Sequence, residues 1–479
     1  MGLEKLYDIS PVPLQTLMLN AKAVELYWER YGGKFRRLAE EFDRLQWLPL
    51  SDLREYQNER LRMLIAHAYA KVPYYHELMK DRRLMPTDIL TAEDLHKLPL
   101  LTKDLIRRHM PRMISTSAHR MLLRHGHTTG TTGSPLDLRY DIRTCVVHHV
   151  VDWRQKHWAG MHYGEPYACV LGKVIVPIRQ QNPPFWRWNY VNNQLFLSSF
   201  HLKEKNLPHY FAQLRKEGIK FLEGYPSTVF ILAMYLLKNN STFPLKAVLT
   251  SSETLYPQQR DAIEKAFCCR VFDFYGMAER TVYATECEHH NGRHLNLDYG
   301  ITEFLDRDDN PAPAGNLARI VATSLHNFAM PMIRYVTNDS SSLRPGTCAC
   351  GRNFPLMDEV ATKNESIVTL RDGRLISPSV LTHPFKPLHS VAGSQIIQLS
   401  LDELLIRIVR GPEYSSTDEK LLLEAFHERL GDDIRVQIEY VAELPGGAGG
   451  KFRWVISHID PFGIKAQAHE LPANDSREN

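Results

Sequence analysis

Residues Thr128 to Pro135 read T-T-G-T-T-G-S-P, placing four threonines and two glycines in one short arc. Gly130 and Gly133 admit positive φ, so successive backbone N–H groups can face one way. Thr128, Thr129, Thr131 and Thr132 add hydroxyl donors to the same arc. A concave run of donors of this kind wraps phosphate oxygens without a fixed positive charge. No lysine occupies the Walker position, so the loop differs from the usual P-loop. A plain polar turn has the same composition, and the residues downstream decide between the two.

Three further phrases follow in order. Tyr275-Gly276-Met277-Ala278-Glu279 comes after the apolar run Val271 to Phe274, Arg334-Tyr335-Val336-Thr337-Asn338-Asp339 after a proline-marked turn, and Gly449-Gly450-Lys451-Phe452-Arg453 near the end. The ordered set resembles the adenylate-forming superfamily, which includes acyl-CoA and aryl-CoA ligases. Its phosphate loop, Y-G-x-x-E, R-Y-x-T-x-D and C-terminal G-K phrases match these positions, and the resemblance spans most of the chain. His67 to Tyr75 (H-A-Y-A-K-V-P-Y-Y) and Leu98 to Lys103 (L-P-L-L-T-K) resemble the phenylacetate–CoA ligase branch. Gly224 to Ser227 (G-Y-P-S) and Ser198 to Leu202 (S-S-F-H-L) point to its members from capsule and exopolysaccharide loci.

The resemblance implies ATP-dependent activation of a carboxylic acid as an acyl-adenylate. Thr128, Thr129, Gly130, Thr131, Thr132 and Gly133 would bind the β- and γ-phosphates, and Glu279 would be catalytic through Mg²⁺, for which a carboxylate is the right hard ligand. Ser252 and Glu253 would pack against adenine, with Tyr275 and Gly276 beside the base or the acyl group. Asp339 would take both ribose hydroxyls, as suits a carboxylate facing a diol. Arg334 is structural or phosphate-facing. Tyr225, Pro226 and Ser227 would border the substrate carboxylate. Lys451, in the glycine-rich loop Pro445 to Gly450, is the foremost catalytic candidate: its ammonium offsets the repulsion between carboxylate and α-phosphate.

The family's C-terminal domain rotates between half-reactions about a G-R-x-D-D phrase. The best match here is Thr362-Lys363-Asn364-Glu365-Ser366, in which Lys363 lacks the bidentate fork of arginine. The altered hinge bears on the second half-reaction more than on the first. CoA thiol is the default acceptor; an amine or hydroxyl, as in an amide or ester ligase of polysaccharide or natural-product biosynthesis, is the alternative. A nucleotide-binding scaffold without activity is a third reading, opposed by the intact loop, Glu279, Asp339 and Lys451.

A second constellation consists of Cys287, His294, Cys348 and Cys350. Three thiolates and one imidazole suit a closed tetrahedral zinc site of structural type. The C-x-C spacing is tighter than C-x-x-C, so three unrelated thiols and a surface histidine are the competing reading. The branch looks similar at these positions, and some members bind zinc. The other cysteines lack a histidine at suggestive spacing and read as core.

A chain of 479 residues can bury a large core and hold more than one domain. A net charge of +3 makes no case for nucleic acid, and no apolar run is long enough to span a bilayer. Met1 to Ser10 has charges of both signs and no apolar centre, unlike a signal peptide. Seven unevenly spaced cysteines favour reduced thiols or a metal in a cytoplasmic enzyme. A homodimer is left open.

The phrases need a scaffold. Leu53, Gln57, Leu61, Leu64 and Ile65 recur at helical spacing within a mainly helical leader, 1–108. Runs at Tyr167–Val176, Lys220–Glu223, Ala247–Thr250 and Arg270–Phe274 read as buried strands, and Pro208–Glu217, Thr228–Lys238 and Pro257–Ala266 as the helices between them. This alternation predicts an α/β fold with mostly parallel sheets. Glu303–Asp306 and Leu317–Thr323 read as strands of a β-rich part. The expected division is an adenylation domain over 1–360 and a small, mobile α+β lid domain over 361–479. Within the latter, strands are expected at Gln395–Leu399, Leu404–Val409 and Arg435–Val441, with a helix at Glu419–Arg429. The aromatic run Phe185 to Tyr190 suits either an acyl or sugar pocket or packing at a contact.

Overall fold

Three apolar runs alternate their side chains between two faces, as the pleat requires. Phe221, Ala247, Leu249 and Phe272 join one buried cluster, while Leu222, Val248 and Val271 join another. A sheet apolar on both faces needs helices on both. In the computed structural model these runs are central strands of such a sheet. The structure describes residues 3–127, 136–171, 173–177, 179–202 and 204–360, and beyond them 368–371, 375–376, 381, 383–385, 388, 390–431, 433–444 and 455–459.

The chain opens with α1 (Leu3–Ile9), α2 (Val12–Tyr31), α3 (Phe35–Leu45), α4 (Leu50–Lys71), α5 (Pro73–Asp81) and α6 (Lys103–Met113). Leu53, Gln57, Leu61, Leu64 and Ile65 of α4 are all buried, so the expected stripe is core. Strands β1 (Arg124–His127) and β2 (Asp137–Tyr140) form an antiparallel pair, and α7 (Ile142–Trp158) follows. The sheet then takes β3 (Tyr167–Val170), β4 (Trp186–Asn189), β5 (Gln194–Leu197), β6 (Phe221–Gly224), β7 (Ala247–Ser251), β8 (Arg270–Gly276), β9 (Tyr283–Glu286) and β10 (Arg293–Leu295). Helices α8 (Leu207–Lys216), α9 (Pro226–Lys238) and α10 (Pro257–Phe267) cover one face; α3 and α7 cover the other.

A second, three-stranded sheet has the order β11 (Gly300–Leu305), β12 (Ala318–Ser324), β13 (Tyr335–Ser341). Strands β14 (Leu343–Arg344) and β15 (Leu356–Met357) complete the large sheet, whose order is β14-β15-β10-β9-β8-β7-β6-β3-β5-β4. Its centre, β5-β3-β6-β7-β8, is parallel, and the strands on either side pair antiparallel. The expectation of a mostly parallel sheet therefore holds for the centre and not for the flanks.

The aromatic run Phe185 to Tyr190 belongs to the outer strand β4. Arg187 is buried, and its Nε donates to Gln15 of α2 at 2.9 Å. Asn20 of the same helix donates to the Trp188 carbonyl at 2.8 Å. The run is packing that covers an edge strand, not a pocket wall.

By its contacts the chain divides into two compact units, the second holding Leu305–Asn310, Asn338–Ser340 and Ala361–Asn479 and the first holding the rest. In the second, beyond a short pair β16 (Val368–Thr369) and β17 (Leu375–Ile376), a sheet has the order β20-β19-β18-β21. These strands are β18 (Val391–Ser400), β19 (Glu403–Arg410), β20 (Arg435–Tyr440) and β21 (Val455–Ser457). Leu404, Ile406 and Ile408 alternate into its core, as do Leu422 and Phe426 of α11 (Ser416–Leu430). Ser415 caps that helix, with its hydroxyl accepting from Asp418 N and the Asp418 carboxylate accepting in return.

Among the imidazoles held neutral in the first unit are buried His326 and half-buried His148. Burial, reinforced by Arg60, pushes His326 down to about 3. Burial with Arg280 nearby does the same to His148, also to about 3. Above pH ~6.5 neither the folded nor the unfolded chain protonates them. As pH falls from there toward 3, the unfolded chain takes up protons that the folded one refuses, so stability falls. Unfolding free energies from urea titrations should drop between pH 6.5 and 4, by up to about 1.4 kcal/mol per pH unit for each histidine. His326→Gln should flatten that slope.

Candidate functional site

Parallel strands bring their carboxyl ends to one edge of a sheet, where open α/β folds bind ligands. Three of the expected phrases stand at the ends of three adjacent strands. Strand β6 ends at Gly224, followed by Tyr225, which caps α9, and by Pro226 and Ser227 in its first turn. Strand β7 ends at Ser251, followed by Ser252 and Glu253, and β8 ends in Tyr275 and Gly276. A Cβ on Gly224 would come within 2.6 Å of Val170 and 2.7 Å of Val229, so only glycine lets α9 start this close to β3.

Glu279 lies beyond β8 and is buried, with 6% exposure. Its carboxylate accepts a hydrogen bond from the Tyr335 hydroxyl at the start of β13. One contact thus joins the Y-G-x-x-E phrase to the R-Y-x-T-x-D phrase across 56 residues. The Leu98 to Lys103 phrase joins them too: Leu101 N donates to Arg334 O and Val336 N to Leu101 O, both at 2.9 Å. Asp339 is half-buried in β13. Tyr275 is buried, in a cluster with Val282, Ala284 and Phe304.

Arg334 pairs with Glu303 at 2.9 Å and donates to the Leu98 carbonyl at 2.8 Å. These contacts favour the structural of its two expected roles. Ser252, Arg280, Arg334 and Asn338 all hold positive φ, at 70°, 54°, 53° and 65°. Such conformations are uncommon outside glycine, and six other described residues, among them Arg83 and Asp309, share them.

Thr128, Thr129, Gly130, Thr131, Thr132 and Gly133, together with Lys363 and Lys451, lie outside the described residues. The strands flanking the first of these pair with His127 opposite Asp137. Lys451 falls in the connection between β20 and β21.

The cysteine and histidine side chains converge. One ligand atom from each of Cys287, His294, Cys348 and Cys350 lies within 4.8 Å of all the others. Cys287 Sγ is 3.6 Å from Cys348 Sγ, and Cys350 Sγ is 3.4 Å from His294 Nε2. Tetrahedral zinc with Zn–S near 2.3 Å sets sulfur atoms roughly 3.8 Å apart, so this donor set fits the ion. His294 reaches the cluster because it pairs with Leu356 across β10 and β15, beside the loop that carries both C-terminal cysteines. Its Nδ1 lies 3.3 Å from the Phe354 carbonyl, an outer contact that leaves Nε2 for a metal. Burial pushes His294 down to about 4 and the Cys287 thiol far up. The imidazole is thus neutral at physiological pH, and metal binding would displace thiol protons. Arg352, stacked 4.3 Å over Trp158 and paired with Glu288 at 2.9 Å, closes the loop over the cluster.

Some residues of interest escaped the sequence reading. Tyr335 stood in the R-Y-x-T-x-D phrase without a role. Arg280, next to Glu279, stacks 4.2 Å over the Tyr140 ring. Lys156 on α7 bonds Asp152 at 2.7 Å and lies 3.4 Å from Glu223 of β6. The signal available was Asp152 and Lys156, four apart on a helix otherwise rich in valine and tryptophan.

Known proteins resemble this chain over most of its length. Residues 368–458 match the CapK C-terminal domain. Protein CapK of Staphylococcus aureus is 28% identical over 470 residues, covering 95% of this chain and all (100%) of that one. A phenylacetate–coenzyme A ligase of Thermus thermophilus is 25% identical over 459 residues, covering 86% and 98%. A crystal structure of 2-hydroxyisobutyryl-CoA ligase superposes with a TM-score of 0.68 at 20% identity, covering 88% of this chain and 92% of that one; this likeness speaks to the fold. Among the described residues, no helix is long and apolar enough to cross a membrane. In its motifs and in these matches over most of its length, the chain resembles ligases of the adenylate-forming superfamily, in particular the phenylacetate–CoA ligase-like branch.

Proposed function

We propose that the protein activates a small carboxylic acid with ATP and then passes the acyl group to the thiol of CoA. The observation that carries this reading is the convergence of Tyr225, Ser252–Glu253 and Tyr275–Gly276 at the ends of β6, β7 and β8. In the first step a carboxylate oxygen attacks the α-phosphorus. The bond from that phosphorus to the bridging oxygen breaks, and pyrophosphate leaves with the electron pair. In the second step the sulfur attacks the acyl carbon and AMP leaves.

The chain's part is to position the reactants and stabilise growing charge. Thr128 to Gly133 hold the phosphates, Asp339 the ribose, and Ser252 and Glu253 the adenine edge. Lys451 closes on the carboxylate and α-phosphate. Glu279, an oxygen donor fixed by Tyr335, is the residue that would hold Mg²⁺, which supplies charge neutralisation when bound. Cys287, His294, Cys348 and Cys350 hold zinc as a structural staple, with no position left for catalysis. Reduced thiols throughout suit a cytoplasmic site of action.

The altered hinge phrase around Lys363 favours one second reading: transfer to an amine or hydroxyl in place of CoA. Carboxylate-dependent exchange of labelled pyrophosphate into ATP tests the first half-reaction. Exchange is expected with a subset of aryl, fatty, hydroxy and amino acids. It should fall about 10²-fold or more in Glu279→Gln. No exchange with any acid would favour the inactive scaffold. Exchange without CoA consumption would shift the acceptor to the amine or hydroxyl class.

A further inference from the structure

One face of α7 carries Cys145, His148, His149, Asp152 and Lys156, spaced three, four and seven residues apart along the helix. A core helix ordinarily presents apolar groups there. Opposite this face stand Glu223 of β6, Tyr283 of β9, and Tyr299 and Arg280. Lys156, with a side chain only 4% exposed, sits between Asp152 at 2.7 Å and Glu223 at 3.4 Å. The Tyr283 hydroxyl lies 3.2 Å from Asp152, and His148 Nδ1 lies 3.1 Å from the Tyr299 hydroxyl.

Both ends of this polar belt meet phrases already assigned to the reaction. Glu223 directly precedes Gly224-Tyr225-Pro226, and Arg280 directly follows Glu279. The belt also has unmet capacity. Arg280 Nη1 and His149 Nδ1 are buried and find no hydrogen-bond partner among the described residues. Burial first, then His148, Arg30 and Arg280, hold His149 neutral, so its ring accepts or donates without charge.

We propose that this belt lines the acyl pocket and selects an acid whose chain carries acceptor oxygens, hydroxyl or a second carboxylate, over aryl and fatty acids. The inference rests on the adenylation reading for the position of the pocket. An aryl or alkyl group would leave the Arg280 and His149 nitrogens unpaired, and sites built to hydrogen-bond a substrate hydroxyl reject the analogue lacking it by roughly 10⁴–10⁵-fold. His149 and Arg280 are then specificity-determining residues, and Lys156 is a positioning residue that holds Asp152 and Glu223.

The test compares matched acids in pyrophosphate exchange: 3-hydroxybutyrate and succinate, each against butyrate, with phenylacetate as the aryl arm. At least one oxygen-bearing acid should exceed butyrate and phenylacetate in kcat/KM by about 10²-fold. The hydroxyl and carboxylate arms separate the two sources of acceptor oxygen. His149→Leu should raise KM for the favoured acid about tenfold and leave KM for ATP unchanged, and His149→Gln should recover part of the loss. Butyrate or phenylacetate reacting as well as the oxygen-bearing acids, or His149→Leu altering neither KM nor preference, overturns the proposal. If no acid supports exchange, ligand-observed NMR with the same acids and no ATP separates the two failures. A preference for the oxygen-bearing acids that His149→Leu removes keeps the pocket while the adenylation reading falls. No preference removes both.

Discussion

Cys287→Ser should abolish stoichiometric zinc and lower the thermal midpoint by about 5 °C. Structural zinc contributes on the order of 10 kcal/mol in small domains. Losing half of that from a chain of 479 residues moves the midpoint by ~5 °C, at roughly 1 °C per kcal/mol. The physical reason lies in what the cluster ties together. Cys287 follows β9, His294 sits in β10, and Cys348 and Cys350 precede β15. Without the ion, three thiols and an imidazole face one another across 3.4–3.6 Å contacts with little to hold them. Cys268→Ser, at an exposed cysteine far from the cluster in sequence, should retain the metal and the midpoint. Elemental analysis of the purified wild type, with calorimetry before and after chelation, reads both quantities. A folded, exchange-active protein without zinc would reject the site.

Lys451→Ala should lower pyrophosphate exchange by about 10²–10³-fold while leaving ATP affinity and the thermal midpoint close to wild type. Carboxylate and α-phosphate are both anionic, and the reaction must bring them within bonding distance. An ammonium placed between them acts most strongly where charge concentrates in the transition state, so its loss falls on kcat. Lys451→Arg should recover little, because a planar fork does not replace a point charge at this position. Acyl transfer from a supplied acyl-adenylate should be much less affected. Rapid-quench measurement of each half-reaction distinguishes the two. Equal losses in both would mean that Lys451 acts through folding or general nucleotide binding.

The central elements were legible in the letters. Expected strands at Lys220–Glu223 and Ala247–Thr250 differ by about one residue from Phe221–Gly224 and Ala247–Ser251, because short runs apolar on both faces have few other places to go. The run from Tyr167 reached too far: β3 stops at Val170, and Lys173 to Val176 lie outside any strand. Strand direction at the flanks was not readable, since β4, β9, β10 and β15 join by connections whose hand and length allow either sense. The role of Phe185 to Tyr190 was not readable either. Nothing near those residues reveals that Gln15 and Asn20, some 170 positions away, would meet them.

Residue types and order alone establish the class of chemistry: a glycine–threonine arc, a buried-strand carboxylate phrase and a terminal lysine have meaning wherever the chain places them, because donors and charges keep their chemistry in any fold. Adjacency is a different matter. That Tyr335 bonds Glu279, that His294 turns toward Cys350, and that a polar face of α7 meets Glu223 and lies beside Arg280 are consequences of strand order and register. Those depend on burying two sheet faces at once. Such packing sums many weak, non-directional contacts between residues distant in the chain, and no local stretch carries that information.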